Sequence, residues 1–248
     1  MALLEEFEQS GNWLFRYRTY LPLVLVALAV LVIFFDPSPV FSHQDPVFTG
    51  ICIGLSLFGL IIRAITIGYV PRLTSGRNTK KQVANYLNTE GIYSTVRHPL
   101  YVGNFFMWIG IVLFSGNIWF TVAVILAYWL YYERIMFAEE QFLRGKFGQT
   151  YLAWANHTPP FIPNLSKWKG PDMDFSWRTV IKREDNGFLG MVVAFAFVDL
   201  LRNLKDGEKY LLSDFWMYTL GSSVVIYLIT RTLRKTTSLL NAERKPSA

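Results

Sequence analysis

Residues 47–70 read VFTGICIGLSLFGLIIRAITIGYV, an apolar run broken by a single charge, Arg63. As a helix rising 1.5 Å per residue it spans about 36 Å, enough to cross a hydrocarbon core of roughly 30 Å. Five shorter apolar runs flank it, at 20–35, 100–114, 118–132, 187–201 and 215–229. Six such runs in 248 residues cannot all be core helices of a soluble domain. The composition agrees: 52% of residues are hydrophobic and only 17% charged, against about 25% charged in soluble domains. The fold class predicted is therefore all-α, a polytopic membrane bundle of five or six spans. The first run does not read as a cleaved leader. Glu5, Glu6 and Glu8 precede it, and Phe34-Phe35-Asp36-Pro37 follows where small residues would be cut.

The net charge of +6 raises nucleic acid as a partner, and the position of the charges removes it. Lys and Arg crowd the N-terminus, 71–99, 133–186 and the C-terminal tail. The loop at 36–46 and the turn Ser115-Gly116-Asn117 carry none, and 202–214 carries three. This is a positive-inside pattern, which places both termini in the cytoplasm of a bacterial inner membrane or endoplasmic reticulum. A lone cysteine, Cys52, and three scattered histidines argue against a disulfide framework or a metal site. The spacing Gly50-x-x-x-Gly54 reads as helix packing. A Pro/Gly/Asp-rich stretch near 163–174 suggests three parts: an N-terminal span and loop (1–46), a core (47–163) and a C-terminal extension with two short apolar helices (164–248).

A three-residue turn joins the third and fourth long runs, 100–114 and 118–132, which permits only an antiparallel hairpin. Pro99 suits the first turn of a helix and His98 its cap. The amides of Leu100, Tyr101 and Val102 would then form an anion-binding helix start, with Arg97 beside it and Gly103 leaving room one turn on. Counting outward from Gly116, His98 comes level with Arg134, and Glu139 and Glu140 follow within about a turn. Glu133 and Glu140, seven apart, share a helix face. One end of the hairpin thus offers both an anion cradle and carboxylates. S-adenosylmethionine, with an amino-acid end and a sulfonium that aromatic rings attract, matches that polarity. Taken singly, Arg97, Glu133, Glu139 and Glu140 also read as solvated interface charges, and Glu140 with Arg144 as an i,i+4 pair. Arg63 lies about 10 Å inside its span. It either snorkels or faces the bundle interior to hold a negative group.

Taken in order, Gly91-Ile92-Tyr93, Arg97-His98-Pro99-Leu100-Tyr101-Val102-Gly103, Glu139-Glu140, Phe147-Gly148-x-x-Tyr151 and Pro160-Phe161-Ile162-Pro163 resemble the membrane superfamily of isoprenylcysteine carboxyl methyltransferases and phospholipid methyltransferases. The resemblance covers about 50–163. It implies an S-adenosylmethionine-dependent enzyme that releases S-adenosylhomocysteine. It places Tyr93, Arg97, His98, Pro99, Leu100, Tyr101, Gly103, Glu139 and Glu140 around the cofactor and 160–163 over it. It also matches Arg63 with an arginine near the acceptor, which makes Arg63 the catalytic candidate and, together with Arg97, a substrate-binding one. The extension after 163 departs from the prenylcysteine branch.

Carboxylate and phosphate oxygens are nucleophiles at neutral pH, whereas an amine must first lose a proton. An intramembrane guanidinium attracts anions and its fork fits them. The expected reaction is O-methylation of an anionic head group, an isoprenylcysteine carboxylate or a lipid or lipid A phosphate. N-methylation of phosphatidylethanolamine is the alternative, and a small anion transporter or a structural membrane partner the readings of another class. The expected partners are the bilayer and a lipid or lipid-modified substrate, with a second copy meeting the C-terminal spans.

Overall fold

A computed structural model describes residues 2–35, 39–71 and 82–241. Arg72, Arg77, Lys80 and Lys81, which contribute to the charge bias, lie outside the described residues, as do Arg244 and Lys245. Eight α-helices are described: α1 Leu3–Tyr17, α2 Leu21–Phe35, α3 Pro46–Gly68, α4 Pro99–Leu113, α5 Ile118–Phe147, α6 Gln149–Ala155, α7 Trp177–Asp206 and α8 Asp214–Thr236. No strand is present among the described residues, in line with an all-helical bundle. Helices α3, α5 and α7 are long and apolar enough to span a membrane, and Leu23–Phe35 and α4 are shorter apolar helices. The runs at 118–132 and 187–201 are thus only the apolar parts of two 30-residue helices.

Local sequence fixes the helix ends. Asp45 caps α3 by accepting from the Val47 amide at 2.9 Å, with Pro46 at the first helical position. The hairpin turns at Gly116, whose φ of +82° is open to glycine. Asn117 then caps α5 by accepting from the Phe120 amide at 2.7 Å. Ser176 caps α7, and Gly207 in the left-handed region ends it.

Helices in lipid associate through close packing of small residues rather than through exclusion of water. Here α3 and α4 are joined by Gly59, Gly103 and Gly110, not by Gly50 and Gly54, which meet nothing within 4 Å of a would-be Cβ. Ser56 donates to the Met107 carbonyl at 2.8 Å across the same seam. A Cβ on Gly59 would sit 2.3 Å from the Gly103 carbonyl oxygen and 2.6 Å from the Met107 nitrogen. Both are backbone atoms, so the helices would have to part. Gly59→Ala should therefore destabilise the bundle by about 1–3 kcal/mol, read as a lowered unfolding midpoint in detergent. Gly54→Ala should leave the midpoint unchanged.

The extension joins the same bundle. Met191, Phe195 and Leu201 of α7 and Trp216 of α8 share a buried cluster with Phe48 and Cys52 of α3, Met107 and Ile111 of α4, and Phe114 at the end of α4. Phe195 and Trp216 stack at 5.1 Å between centroids. At the end of the bundle away from the charged motifs, a polar knot holds α7 in place. Arg202 donates to the Ser115 carbonyl at 2.9 Å, and the buried His43 pairs through Nε2 with the Asn203 side chain at 2.8 Å. The N-terminal half of α7 is thereby carried to the opposite end, beside Arg63.

Candidate active site

The segment before α4 is held on both sides. Gly91, at φ +59°, opens a single 3-10 turn at Ile92–Ser94. The Arg97 and His98 amides donate to the Pro159 and Pro160 carbonyls at 2.8 and 3.2 Å, and the Asn164 amide returns a bond to Thr95 at 2.9 Å. Phe161 anchors this strap between Phe105 of α4 and Trp129 of α5. The 160–163 stretch thus lies against the Arg-His-Pro turn.

That turn meets the far part of α5. His98 is buried and donates through Nε2 to Glu140 at 3.0 Å, while its Nδ1 lies 3.7 Å from Glu139. Tyr101 donates to Glu139 at 2.8 Å. Arg97 lies 3.2 Å from Glu140 and donates to the Ala155 carbonyl at 3.4 Å. Tyr151 faces Glu140, and burial together with that carboxylate raises its phenol above the usual tyrosine range. Tyr93, whose carbonyl accepts from Trp154 at 3.2 Å, is likewise raised, by burial first and then by Glu139. Both rings therefore stay protonated and neutral near neutral pH.

The expected anion cradle is largely closed. The Tyr101 and Val102 amides both donate to the His98 carbonyl, at 3.1 and 3.2 Å. Pro99 has no amide hydrogen, which leaves only the Leu100 amide of the first turn. Glu133 is exposed. Arg134, placed level with His98 by residue counting, instead lies over Phe7, 3.4 Å from its ring centroid. Tyr93, Arg97, His98, Pro99, Leu100, Tyr101 and Glu139 all line one cleft, which encloses about 920 Å³ counting its open mouth. Glu140 stands behind the wall, holding Arg97 and His98, and Gly103 lies on the α3 side of α4.

Sequence reasoning missed several contributors to this wall, among them Phe15 and Arg18 at the end of α1 and the segment 82–88. The apolar Leu3, Leu4, Phe7, Leu14 and Phe15 recur with helical periodicity, the signal that could have revealed α1.

Arg63 is separate from this cleft. A Cβ on Gly103 would meet its Cγ at 2.5 Å, so it packs on the opposite face of the same α4 turn. It does not snorkel. Nε and Nη2 donate to the two oxygens of Glu184 on α7 at 2.8 and 2.7 Å, and Nη1 donates to Asn104 at 2.5 Å. The Glu184 side chain is 6% exposed and that of Arg63 20%. Tyr132 faces Asn104 and stacks on Tyr128 at 4.1 Å between centroids, and Tyr128 donates to the Tyr101 carbonyl at 2.7 Å. Asn104, Tyr132 and Tyr128 thus stand between Glu184 and the cleft. Glu184, the partner that sequence reasoning missed, lies 121 residues from Arg63.

Residues 51–150 match the family model for phospholipid methyltransferases. A protein-S-isoprenylcysteine O-methyltransferase of Schizosaccharomyces pombe is 36% identical over 86 residues, 34% of this chain and 36% of that one. Its counterpart in Xenopus laevis is 34% identical over 130 residues, 48% of this chain and 43% of that one. Over these residues the chain is similar to membrane methyltransferases of the isoprenylcysteine and phospholipid types. A cobalt-zinc-cadmium resistance protein of Cupriavidus metallidurans is similar over more of the length. It is 28% identical over 198 residues, 77% of this chain and 86% of the relative. No solved structure matches. Methyltransferases of this type generally use S-adenosylmethionine, and these matches support an enzyme. The family-matched stretch contains Arg63, the Arg-His-Pro turn and both glutamates, but not Arg18 or Glu184.

Proposed function

We propose that this methyltransferase moves the methyl group of S-adenosylmethionine to an oxygen of an anionic head group on a membrane-embedded substrate, a prenylcysteine carboxylate or a lipid phosphate. The donor set of the cleft suits the cofactor. Glu139 is one-third exposed on the wall and can accept from an ammonium. Tyr93, Tyr101 and Trp154 line it and supply aromatic rings for a sulfonium. When bound, the cofactor supplies an electrophilic methyl on a good leaving group. The chain's own task is then positioning. The strap at 159–164 lies outside the cleft lining and braces the Arg-His-Pro turn from behind, and the buried tyrosines keep the reacting region dry.

The observation that carries the anionic acceptor is the state of Arg63. A guanidinium has five N–H groups. Glu184 and Asn104 take three, and two have no partner among the described residues. They lie across one helix turn from the cofactor cleft, fixed in direction by Glu184. An oxygen anion received there needs no general base. The Lys/Arg bias supports a cytoplasmic site, where a water-soluble cofactor meets a lipidic acceptor. One observation favours a second reading. Arg63 and Glu184 together are neutral, which also suits a zwitterionic phosphoethanolamine head, with phosphate on Arg63 and amine on Glu184.

The test is methyl-labelled S-adenosylmethionine with purified protein in nanodiscs, given S-farnesylcysteine carboxylate, phosphatidic acid or phosphatidylethanolamine in separate arms. Label in either of the first two supports O-methylation. Label only in phosphatidylethanolamine overturns it in favour of the second reading.

A further inference from the structure

Residues 182–185, Lys-Arg-Glu-Asp, put four charges in a row near the start of α7. Successive residues on a helix point about 100° apart, so the two carboxylates leave α7 on different sides. Glu184 turns to Arg63 on α3. Gly187 leaves room for its carboxylate, since a Cβ there would lie 3.1 Å from Glu184 Oε2. Asp185 turns to α8, where its Oδ2 lies 2.9 Å from Nη1 of Arg234. The Asp185 side chain is 2% exposed and that of Arg234 23%. The same guanidinium nitrogen donates to the Lys182 carbonyl at 3.3 Å. Lys182 in turn donates to the Asn241 side chain at 2.7 Å, past the end of α8 and next to the buried Leu240. The turn that carries Glu184 is thus clamped between α3 and the end of α8, with an ion pair on each side.

Arg63 is aimed by Glu184, and Glu184 is aimed only as well as α7 is held about its own axis. Side chains reach about 5–6 Å from a helix axis, so a rotation of roughly 10° moves a carboxylate at that radius by about 1 Å. A displacement of that size costs a positioned reaction on the order of 100-fold. The polar knot at Arg202 and Asn203 holds the same helix about five turns away. Beside Glu184 itself, Arg234 grips both a side chain and a carbonyl of α7. We propose that Arg234 is a positioning residue for methyl transfer: by holding Asp185 and the Lys182 carbonyl it sets the rotation of α7, and through Glu184 the direction of the Arg63 N–H groups that face the acceptor. The C-terminal helix, which lies outside the family-matched residues, then acts on the reaction only through Arg63. This rests on the reading that Arg63 receives the acceptor's head group.

The test measures methyl transfer from labelled S-adenosylmethionine by the full chain in nanodiscs, to S-farnesylcysteine carboxylate and to phosphatidic acid. The native protein is compared with Arg234→Gln, Arg234→Lys, Arg63→Lys and Arg63→Lys combined with Arg234→Gln. Arg234→Gln should lower turnover about tenfold and leave S-adenosylhomocysteine affinity within about twofold. Arg234→Lys should recover most of the loss, because an ammonium can still meet Asp185. In the Arg63→Lys background, Arg234→Gln should cost less than about twofold more, because residues that act through one another are not additive. Arg234→Met with Asp185→Leu strands no buried carboxylate, so it keeps the chain folded where Arg234→Gln does not, and it should show the same loss of turnover. Native turnover in that double variant, or equal losses from Arg234→Gln in both backgrounds, overturns the assignment and makes Arg234 a fastening of α8 alone. Full turnover in Arg63→Lys, or a native chain that labels neither acceptor, overturns the acceptor reading itself and the Arg234 assignment with it.

Discussion

Glu139→Ala and Glu140→Ala should both sharply reduce the thermal stabilisation conferred by S-adenosylhomocysteine, and only Glu140→Ala should also lower the midpoint of the ligand-free protein. The two carboxylates are adjacent in sequence but do different work. Glu140 holds His98, whose side chain is 5% exposed, and Arg97, which is 17% exposed. Removing it strands charged or polar donors away from water, each costing about 1–3 kcal/mol. For a chain of this size that is a fall of roughly 5–10 °C. The Arg-His-Pro turn then loses its register, and the site is lost with it. Glu139 accepts from Tyr101, whose hydroxyl would still open to the cleft, and meets His98 only at 3.7 Å. Its loss should cost the ligand a charge-assisted bond, about 1.5–3 kcal/mol or 10- to 100-fold in affinity, with little change in the empty protein. Differential thermal unfolding with and without ligand separates the two. If Glu140→Ala left the ligand-free midpoint alone, its role as the buried brace would be wrong.

Much of this architecture is legible from residues because apolar run length and turn length are local properties. The three residues between the runs ending at 114 and beginning at 118 force the hairpin, and a hairpin brings His98 to the Glu139-Glu140 pair. What escaped depends on contacts between distant elements. The α5 and α7 helices extend far past their apolar runs, because their polar turns are held by caps and by packing rather than by lipid. Helix α1 mixes acidic and apolar residues, so it carries no span signal although it lines the cleft. Gly50 and Gly54 have the textual spacing of a packing motif but face open space. Gly59 and Gly103, with no mutual spacing in sequence, make the seam. Glu184 sits in Lys182-Arg183-Glu184-Asp185, which reads as a solvated charge run. Only the placement of α7 turns that carboxylate onto Arg63.

That pair gives the second large effect, and variants on its two sides should diverge. Glu184→Ala leaves a guanidinium in the membrane bundle without its carboxylate, a loss of about 3–5 kcal/mol. Its unfolding midpoint should fall steeply. Replacing both partners, as Arg63→Met with Glu184→Leu, removes the uncompensated charge together with the cost of desolvating the pair. Stability should return to within about 1–2 kcal/mol of the native protein, because a buried ion pair contributes little over an apolar pair of similar volume. Methyl transfer should not return with it. If Arg63 directs two N–H groups at the acceptor, the double variant is a folded protein that still binds S-adenosylhomocysteine and turns over nothing. Arg63→Lys tests the same claim more gently. The charge stays and can still meet Glu184, but the planar fork is gone. Turnover should fall roughly 10- to 100-fold, the range lost when a positioned group shifts by about an ångström, while cofactor affinity holds. Full turnover in Arg63→Lys, or recovery of turnover in the apolar double variant, would make the pair a fastening between α3 and α7 and nothing more. The acceptor site would then have to be sought on the cleft side of α4.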